Sequence, residues 1–282
     1  MGMYTTTRRR RSSGLSGRLL LALVLVAFAV GSYYMGTSRV ENPVTGEVQR
    51  VSLTPEQEIA MGLQAVSEMA RQYGGLYQDQ QLQNLVDQVG DKVVIRSEAA
   101  RTPYEYDFHL LADRQTVNAF ALPGGQIFIT YALLERLATE GELAGVLSHE
   151  VGHVVARHSA ERIAKSKLTE GLTNAAVIAT YDPGSMTGVE SARMAQLIGS
   201  LVNMKYSRSD ELEADYLGVR FMAEAGYDPR SLIKVMQILA ESGGGGQPEF
   251  MSTHPSPNNR VGQIEKAIEA EFPNGVPDNL QP

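Results

Sequence analysis

Two histidines separated by three residues, with a glutamate directly after the first, constrain this chain more than any other feature. The segment Gly141–His158 reads GELAGVLSHEVGHVVARH, and its pattern predicts a helix that carries His149, Glu150 and His153. Residues at positions i and i+4 lie on one helical face about one turn apart, so both imidazoles can reach one ion. Glu150 lies near the same site, where a carboxylate can take a proton from a metal-bound water.

Apolar side chains surround much of this helix, at Leu143, Val146, Leu147, Val151, Val154 and Val155. Such a distribution predicts a buried helix. A helix with two ordinary hydrogen-bonded histidines is the alternative interpretation. Because buried histidines and a buried carboxylate are costly unless they are paired or bound to a metal, we favour a metal site.

Catalytic zinc usually takes three protein ligands and keeps a fourth position for water, so a third ligand must come from another segment. The best candidate is Tyr206–Gly218, an acidic stretch that is also predicted to be helical. Glu211 and Asp215 share one face there, and Glu213 points elsewhere. We assign Glu211 to the metal and Asp215 to a hydrogen bond that fixes the tautomer of a ligand histidine. A solvated acidic face is the alternative.

Charge and hydropathy change sharply near the N-terminus. Residues 1–18 carry five arginines and no acid, although the whole chain has a formal charge of −7. Residues 19–35 are uncharged and apolar, and as a helix they cover roughly 25 Å, just short of a hydrocarbon core of about 30 Å. This predicts a transmembrane signal anchor or a signal peptide, with the rest of the chain in the periplasm, anchored to the inner membrane or released. A buried soluble helix is the alternative.

The remaining sequence predicts an α+β fold that is mainly helical and contains a small antiparallel sheet. We expect residues 36–53 to be a linker, 54–272 one folded domain and 273–282 a C-terminal tail. Period-two alternation over 104–110, and two short runs on either side of Pro123-Gly-Gly125, predict the sheet and its hairpin. Helical breaks are expected at 181–184, 226–229 and 242–246.

Composition removes several classes of function. The chain has no cysteine, which excludes disulfides, thiolate zinc sites, a catalytic thiol and an acylated lipoprotein cysteine. It also lacks tryptophan and carries net negative charge, so we expect no nucleic-acid partner.

Three segments carry a family resemblance: HEVGHVVARH from His149, SRSDELEAD from Ser207, and NAFALPGG from Asn118. Over residues 54–268 the chain resembles the CAAX-prenyl-protease-type zinc metallopeptidases, most closely the bacterial extracytoplasmic branch of envelope protein quality control. The resemblance implies a zincin-like gluzincin endopeptidase with one Zn²⁺ per chain. It assigns the zinc to His149, His153 and Glu211, the general base to Glu150, and a supporting role to Asp215. The branch often has a lipoprotein cysteine, which is absent here.

The hairpin gains a role from this resemblance, because substrates of such enzymes commonly pair with an edge strand above the active-site helix. Main-chain hydrogen bonds would then hold an extended peptide with little selectivity for its side chains. The expected edge consists of Asn118, Ala119, Phe120, Ala121 and Leu122, or alternatively of residues 126–130. A hairpin that only packs on the helix is the other interpretation.

The other three histidines are assigned by their positions. His109 lies in a predicted strand, and His158 is rotated away from the metal face at i+5 from His153, so both are expected to be structural. His254 resembles a late histidine of the family that approaches the zinc, which would make it a self-inhibitory lid ligand. A loop or helix-capping histidine is the alternative. Arg260 is expected to stabilise an oxyanion or to hold the loop by a salt bridge.

The expected function is zinc-dependent cleavage of polypeptide substrates, namely misfolded or unassembled envelope or membrane-associated proteins. The alternative from another class is a metal-stabilised chaperone or assembly factor that does not cut its partners. Prenyl-peptide processing is a weaker option, because that parent fold needs several membrane-spanning helices and the sequence offers one candidate.

Overall fold

The computed structural model describes residues 13–166, 168–169, 205–242, 248–256 and 259–282. Two of the expected helical breaks, at 181–184 and within 243–246, lie outside these residues. The third is present, because Gly226 ends a helix with a φ of +83° in the left-handed region. The labelled helices are α1 Ser13–Gly36, α2 Pro55–Gln72, α3 Gln80–Ile95, α4 Tyr131–Leu134, α5 Glu140–Val155, α6 Arg208–Ala225, α7 Arg230–Glu241, α8 Glu249–Thr253 and α9 Arg260–Glu271.

Two strand pairings make up the β structure of the described chain. Strands β1 (Ser38–Glu41) and β2 (Val48–Val51) form a hairpin, whereas β3 (Asp107–Leu111), β4 (Ala119–Ala121) and β5 (Gln126–Thr130) form a three-stranded sheet in the order β3-β5-β4. The α+β prediction is confirmed, and β4 and β5 form the expected antiparallel hairpin. Strand β3 pairs with β5 in parallel, because residues 112–118 reverse the chain and carry it across the end of β5.

Helix α5 lies at the centre of the domain. Thr139 caps its N-terminus by accepting a hydrogen bond from the Glu142 amide at 3.2 Å, and acidic residues fill the first turn. Every residue from Gly141 to Val155 is buried. A Cβ atom at Gly152 would stand 2.9 Å from the Ala214 carbonyl oxygen, so this glycine lets α5 and α6 approach closely. That approach brings the acidic face of α6 to the histidine face of α5.

Residues 36–53 are part of the packed domain, so their prediction as a linker is wrong. The Asn42 side chain donates a 2.7 Å hydrogen bond to the Val155 carbonyl oxygen, and the Gln49 amide donates to the Ala156 carbonyl oxygen. Both side chains are buried, and they satisfy carbonyl groups that the C-terminus of α5 leaves without helical partners. The turn-rich sequence of this segment therefore encodes a docked β-hairpin.

The segment 273–282 is packed as well, and its prediction as a separate tail is wrong. The Gly141 amide donates to the Pro282 carbonyl oxygen at 3.0 Å, which satisfies an amide in the first turn of α5. Gln281 exchanges main-chain hydrogen bonds with the turn between α6 and α7, at 2.8 Å from the Asp228 amide and at 3.0 Å to the Gly226 oxygen. The domain therefore includes these residues.

Helix α1 exposes large apolar side chains, with Leu23 at 66%, Phe28 at 73% and Met35 at 91% exposure. Its last turns contact the β1–β2 hairpin, where the Arg50 guanidinium lies 4.5 Å from the centre of the Tyr34 ring. Among the described residues, none of the helices is both long enough and apolar enough to cross a membrane.

Candidate metal centre

Three separate elements bring four buried side chains to one point. Helix α5 contributes His149 and His153, α6 contributes Glu211, and His254 directly follows α8. Each side chain offers one nitrogen or oxygen atom, and these four atoms all lie within 4.8 Å of one another. None of the four residues is more than 1% exposed. The residues that spacing grouped in the sequence therefore meet in space, and His254 joins them.

The distances between the donor atoms match those around a tetrahedral ion. The Nε2 atoms of His149 and His153 are 3.1 Å apart, and His254 Nδ1 lies 3.2 Å from His149 Nε2. Glu211 Oε1 is 3.0 Å from His254 Nδ1 and 3.4 Å from His153 Nε2. Ligand atoms about 2.0–2.1 Å from zinc at tetrahedral angles stand about 3.3 Å apart. The cluster therefore has room for one ion at its centre.

Hydrogen-bond accounting also favours a cation. Asp215 Oδ1 lies 2.9 Å from His149 Nδ1, so that nitrogen carries a proton, and Nε2 is the atom that can direct a lone pair to a metal ion. The buried Glu211 Oε2 lies 3.1 Å from Arg260 Nη1 and 3.5 Å from His149 Nε2, but within the described residues neither contact has the geometry of a hydrogen bond. Lone pairs and a carboxylate that converge in a buried space repel unless a cation lies between them. These side chains therefore fit a divalent metal ion.

The charged neighbours set the ionisation of the cluster. Burial opposes protonation of His149, but hydrogen bonds to Asp215 and Glu211 outweigh this effect and raise the pKa of His149 to about 9. Burial also opposes ionisation of Glu211, yet the three histidines around it hold its pKa well below the usual range. Without a metal, His149 therefore holds the proton that a metal ion must displace.

Glu150 lies beside the cluster and is fully buried. Neither carboxylate oxygen has a hydrogen-bond partner in the described parts of the chain, and the nearest ionisable contact is His254 Nε2 at 3.6 Å from Oε1. Burial raises the pKa of this carboxyl group. An unpaired carboxyl group in such a place is typical of a functional rather than a stabilising residue.

The segment 248–256, called the lid here, holds His254 over the cluster. Asn118 donates a 3.0 Å hydrogen bond to Glu249 Oε1, and the Tyr73 hydroxyl donates to the same oxygen. The Phe250 amide donates to the Val117 carbonyl oxygen at 3.3 Å, and the Phe250 ring stacks on His254 with 4.3 Å between centroids. The structure therefore places His254 next to the cluster and beside Glu150, with 3.6 Å between His254 Nε2 and Glu150 Oε1.

The strand order of the sheet leaves one of the two expected strands as the candidate edge for substrate pairing. Strand β5 pairs with neighbours on both sides, so residues 126–130 cannot accept another strand, whereas β4 lies at the end of the described sheet. The lid contact at Val117 comes directly before β4. All five proposed edge residues are buried in this structure: Asn118, Ala119, Phe120, Ala121 and Leu122.

Arg260, at the first position of α9, reaches the cluster, with Nη2 3.4 Å from His149 Nε2. Its guanidinium donates to both Asp215 oxygens at 2.7 and 2.8 Å, and Nη1 lies 3.1 Å from Glu211 Oε2. These contacts join the cation to two acidic residues of α6, and whether Arg260 stabilises an oxyanion or holds the loop stays a prediction. Arg260 therefore offsets the cost of burying two carboxylates close together.

Sequence reasoning missed the groups behind His153. His158 Nδ1 lies 2.9 Å from His153 Nδ1, on the side of the ring that faces away from the cluster, and His158 Nε2 lies 3.2 Å from Glu213 Oε2. The Tyr206 ring stacks on His153 with 3.8 Å between centroids. The i+5 spacing predicts that His158 points away from the metal face only if the helix continues past Val155, and the helix ends at that residue. His109 lies on β3, where its ring stacks on Phe128.

Comparisons with known proteins agree with this site. The profile of peptidase family M48 matches residues 80–268, which include the four candidate ligands. A beta-barrel assembly-enhancing protease of Yersinia pestis is 31% identical over 229 residues, which cover 78% of this chain and 45% of that protein. The protein of that name in Escherichia coli K12 is 26% identical over 256 residues, covering 86% and 50%. Mitochondrial metalloendopeptidase OMA1 of Arabidopsis thaliana is 38% identical over 158 residues, covering 56% and 31%. The chain thus spans half or less of these relatives' length.

Proposed function

The chain belongs to peptidase family M48, a family of metalloendopeptidases, and we propose that it is a zinc-dependent endopeptidase acting on misfolded or unassembled envelope or membrane-associated proteins. The observation that carries the proposal is the convergence of His149, His153 and Glu211 from two helices, with Glu150 beside them. The substrate class rests on the names of the relatives, which include a beta-barrel assembly-enhancing protease.

In this proposal His149, His153 and Glu211 hold the zinc, and Asp215 holds the ring of His149. The bound ion supplies Lewis-acid chemistry, which polarises a carbonyl group and makes water easier to deprotonate. Glu150 takes a proton from the attacking water and delivers it to the amine of the leaving peptide. Burial raises the pKa of Glu150, which makes its carboxylate a stronger proton acceptor, and within the described residues no hydrogen-bond donor competes for its oxygens.

Substrate entry requires the lid to move. The imidazole of His254 stands between the cluster and Glu150, where water and the scissile bond must lie. Release of the lid also frees the Val117 carbonyl oxygen next to β4, which an extended peptide can pair with. Strand pairing needs an extended backbone, so unfolded segments are the expected substrates.

We place the proposed activity outside the cytoplasm. The support is the arginine-rich segment 1–18 followed by the apolar run 19–35, a pattern typical of export. Retention of that run as an anchor at the inner membrane, or its removal, stays a prediction.

The test compares wild type with Glu150→Gln on casein. Both proteins should bind about one zinc per chain, and the variant should cleave at least 100-fold more slowly, since general acid–base catalysis contributes roughly 10²–10⁴-fold. His109→Gln, a histidine on β3, is the matched control and should retain activity. Full activity of the Glu150 variant would refute the proposal. Stoichiometric zinc with no cleavage, even when the lid histidine is removed, would favour the non-proteolytic assembly factor.

A further inference from the structure

Behind the candidate ligand His153 lies a second histidine, followed by a carboxylate. The His153 and His158 Nδ1 atoms are 2.9 Å apart, and His158 Nε2 is 3.2 Å from Glu213 Oε2. Both histidines are buried, whereas the Glu213 side chain is 24% exposed. The three side chains form a line that leads from the cluster to the surface of α6.

We propose that His158 and Glu213 are positioning residues that hold His153 in the orientation and tautomer required for metal binding. The proposal rests on the proposed metal site and assigns the groups that support its second histidine. They are not ligands, because their contacts are on the side of the His153 ring away from the cluster.

The directions of the two hydrogen bonds follow from Glu213, the last of the three side chains. A carboxylate only accepts, so His158 Nε2 carries the proton and donates to Glu213. His158 Nδ1 is then the unprotonated nitrogen and accepts from His153 Nδ1. This leaves the lone pair of His153 on Nε2, directed into the cluster. The opposite tautomer would place a proton on Nε2, where it would block coordination.

A strained turn brings His158 into this position. Continued helix would rotate residue i+5 roughly 140° away from His153, since each residue turns about 100°. Instead α5 ends at Val155, and Arg157 adopts a left-handed φ of 53° before residues 158–166 resume helix. For a residue that is not glycine this conformation is unfavourable.

The neighbouring contacts stabilise that turn. Arg157 Nε donates to Glu58 Oε1 at 3.1 Å, and its Nη2 donates to the Leu53 carbonyl oxygen at 3.0 Å. Such strain persists where surrounding structure enforces it, and it commonly occurs at functional sites. The turn thus has a consequence for the site, because it places an acceptor behind His153.

The two candidate histidine ligands are then supported in different ways. His149 donates directly to Asp215, which Arg260 also holds. His153 reaches its carboxylate, Glu213, only through His158. The ring of Tyr206 covers the face of His153, so the imidazole is fixed both in its plane and above it.

The test measures zinc affinity of the full chain by competition with a chromophoric chelator. His158→Phe should weaken zinc binding by roughly 10–100-fold, the usual effect of removing such a support. His158→Gln, whose side-chain oxygen can accept from His153, should recover part of this loss. The zinc affinity of Glu213→Gln should lie between those of wild type and His158→Phe. A side-chain amide can donate as well as accept, so it no longer fixes the direction of the hydrogen bonds from His158 to His153.

Nitrogen-15 NMR of the histidine rings gives a readout that a merely structural role would leave unchanged. In zinc-loaded wild type the His153 ring should carry its proton on Nδ1, and in Glu213→Gln the His158 ring should populate both tautomers. His109→Phe and Glu224→Gln are controls, since both residues lie outside the line. Their zinc affinity should match wild type.

Zinc affinity unchanged in both His158→Phe and Glu213→Gln would overturn the inference, and so would a His153 proton on Nε2. Failure of the proposed function is distinguishable, because a protein that binds zinc without cleaving casein still reports affinity and tautomer. Absence of zinc binding in the wild type would remove the metal site and this inference together. If His158→Phe does not fold, the more exposed Glu213→Gln decides the question.

Discussion

Replacement of His254 by alanine should activate the proposed enzyme. The side chain is the only group of the lid among the four candidate donors, and it stands 3.6 Å from Glu150. Its removal leaves His149, His153 and Glu211, which is the usual number of protein ligands for catalytic zinc. We therefore expect zinc to remain bound while the closed state loses its main contact with the cluster.

The magnitude follows from the contact that the substitution removes. His254 Nδ1 lies 3.0 Å from the Glu211 carboxylate, and interactions with a charged partner contribute about 1.5–3 kcal/mol. At 1.4 kcal/mol per factor of ten, the balance between closed and open lid shifts by roughly 10–150-fold. Observed activity rises by the same factor until the open state predominates, because only that state admits substrate.

Fluorescent casein degradation with a zinc determination on each sample measures the effect. The expected result is a rise in kcat/KM of at least roughly tenfold, abolished by a chelator, whereas His109→Ala behaves as wild type. Unchanged or reduced cleavage by His254→Ala, with stoichiometric zinc and an intact fold, would refute the idea that this histidine closes the site.

Three further expectations follow from the same contacts. Glu249→Ala removes the acceptor that Asn118 and Tyr73 share, so casein cleavage should rise, by less than for His254→Ala. Gly152→Ala adds a Cβ atom 2.9 Å from the neighbouring helix backbone, so thermal denaturation should show a loss of about 1–3 kcal/mol, and chelator competition weaker zinc binding. The pKa of His149 is raised to about 9 in the metal-free protein, so at pH 7.5 zinc displaces close to one proton and its affinity increases with pH up to about 9. Calorimetry in buffers of different ionisation enthalpy measures that release, and zero release would contradict it.

The spacing of residues along the chain allowed the candidate site to be predicted, because residues four apart in a helix lie on the same face. His149 and His153 are one turn apart on α5, and Glu211 and Asp215 are one turn apart on α6, so each pair could be placed on a face without knowing the fold. The pairing of the two faces rested on the need of catalytic zinc for a third ligand from another segment, and the family resemblance implied the same residues. The structure then brought the two faces together.

The rest depended on tertiary contacts that no local pattern encodes. The β1–β2 hairpin resembles a linker in sequence, and its role appears only through hydrogen bonds from Asn42 and Gln49 to the end of α5. The parallel pairing of β3 depends on the path of residues 112–118 around β5. His158 was excluded from the site because the helix was assumed to continue past Val155. The left-handed turn that ends it is formed by Arg157, and no glycine in the sequence indicates a turn there.

Anomalous diffraction at the zinc absorption edge, on crystals of the zinc-loaded protein, locates the proposed metal ion. One strong peak is expected about 2.0–2.2 Å from His149 Nε2, His153 Nε2 and a carboxylate oxygen of Glu211. A peak bound by other residues, or a site between the two helices without zinc while Glu211 turns away, would contradict this expectation.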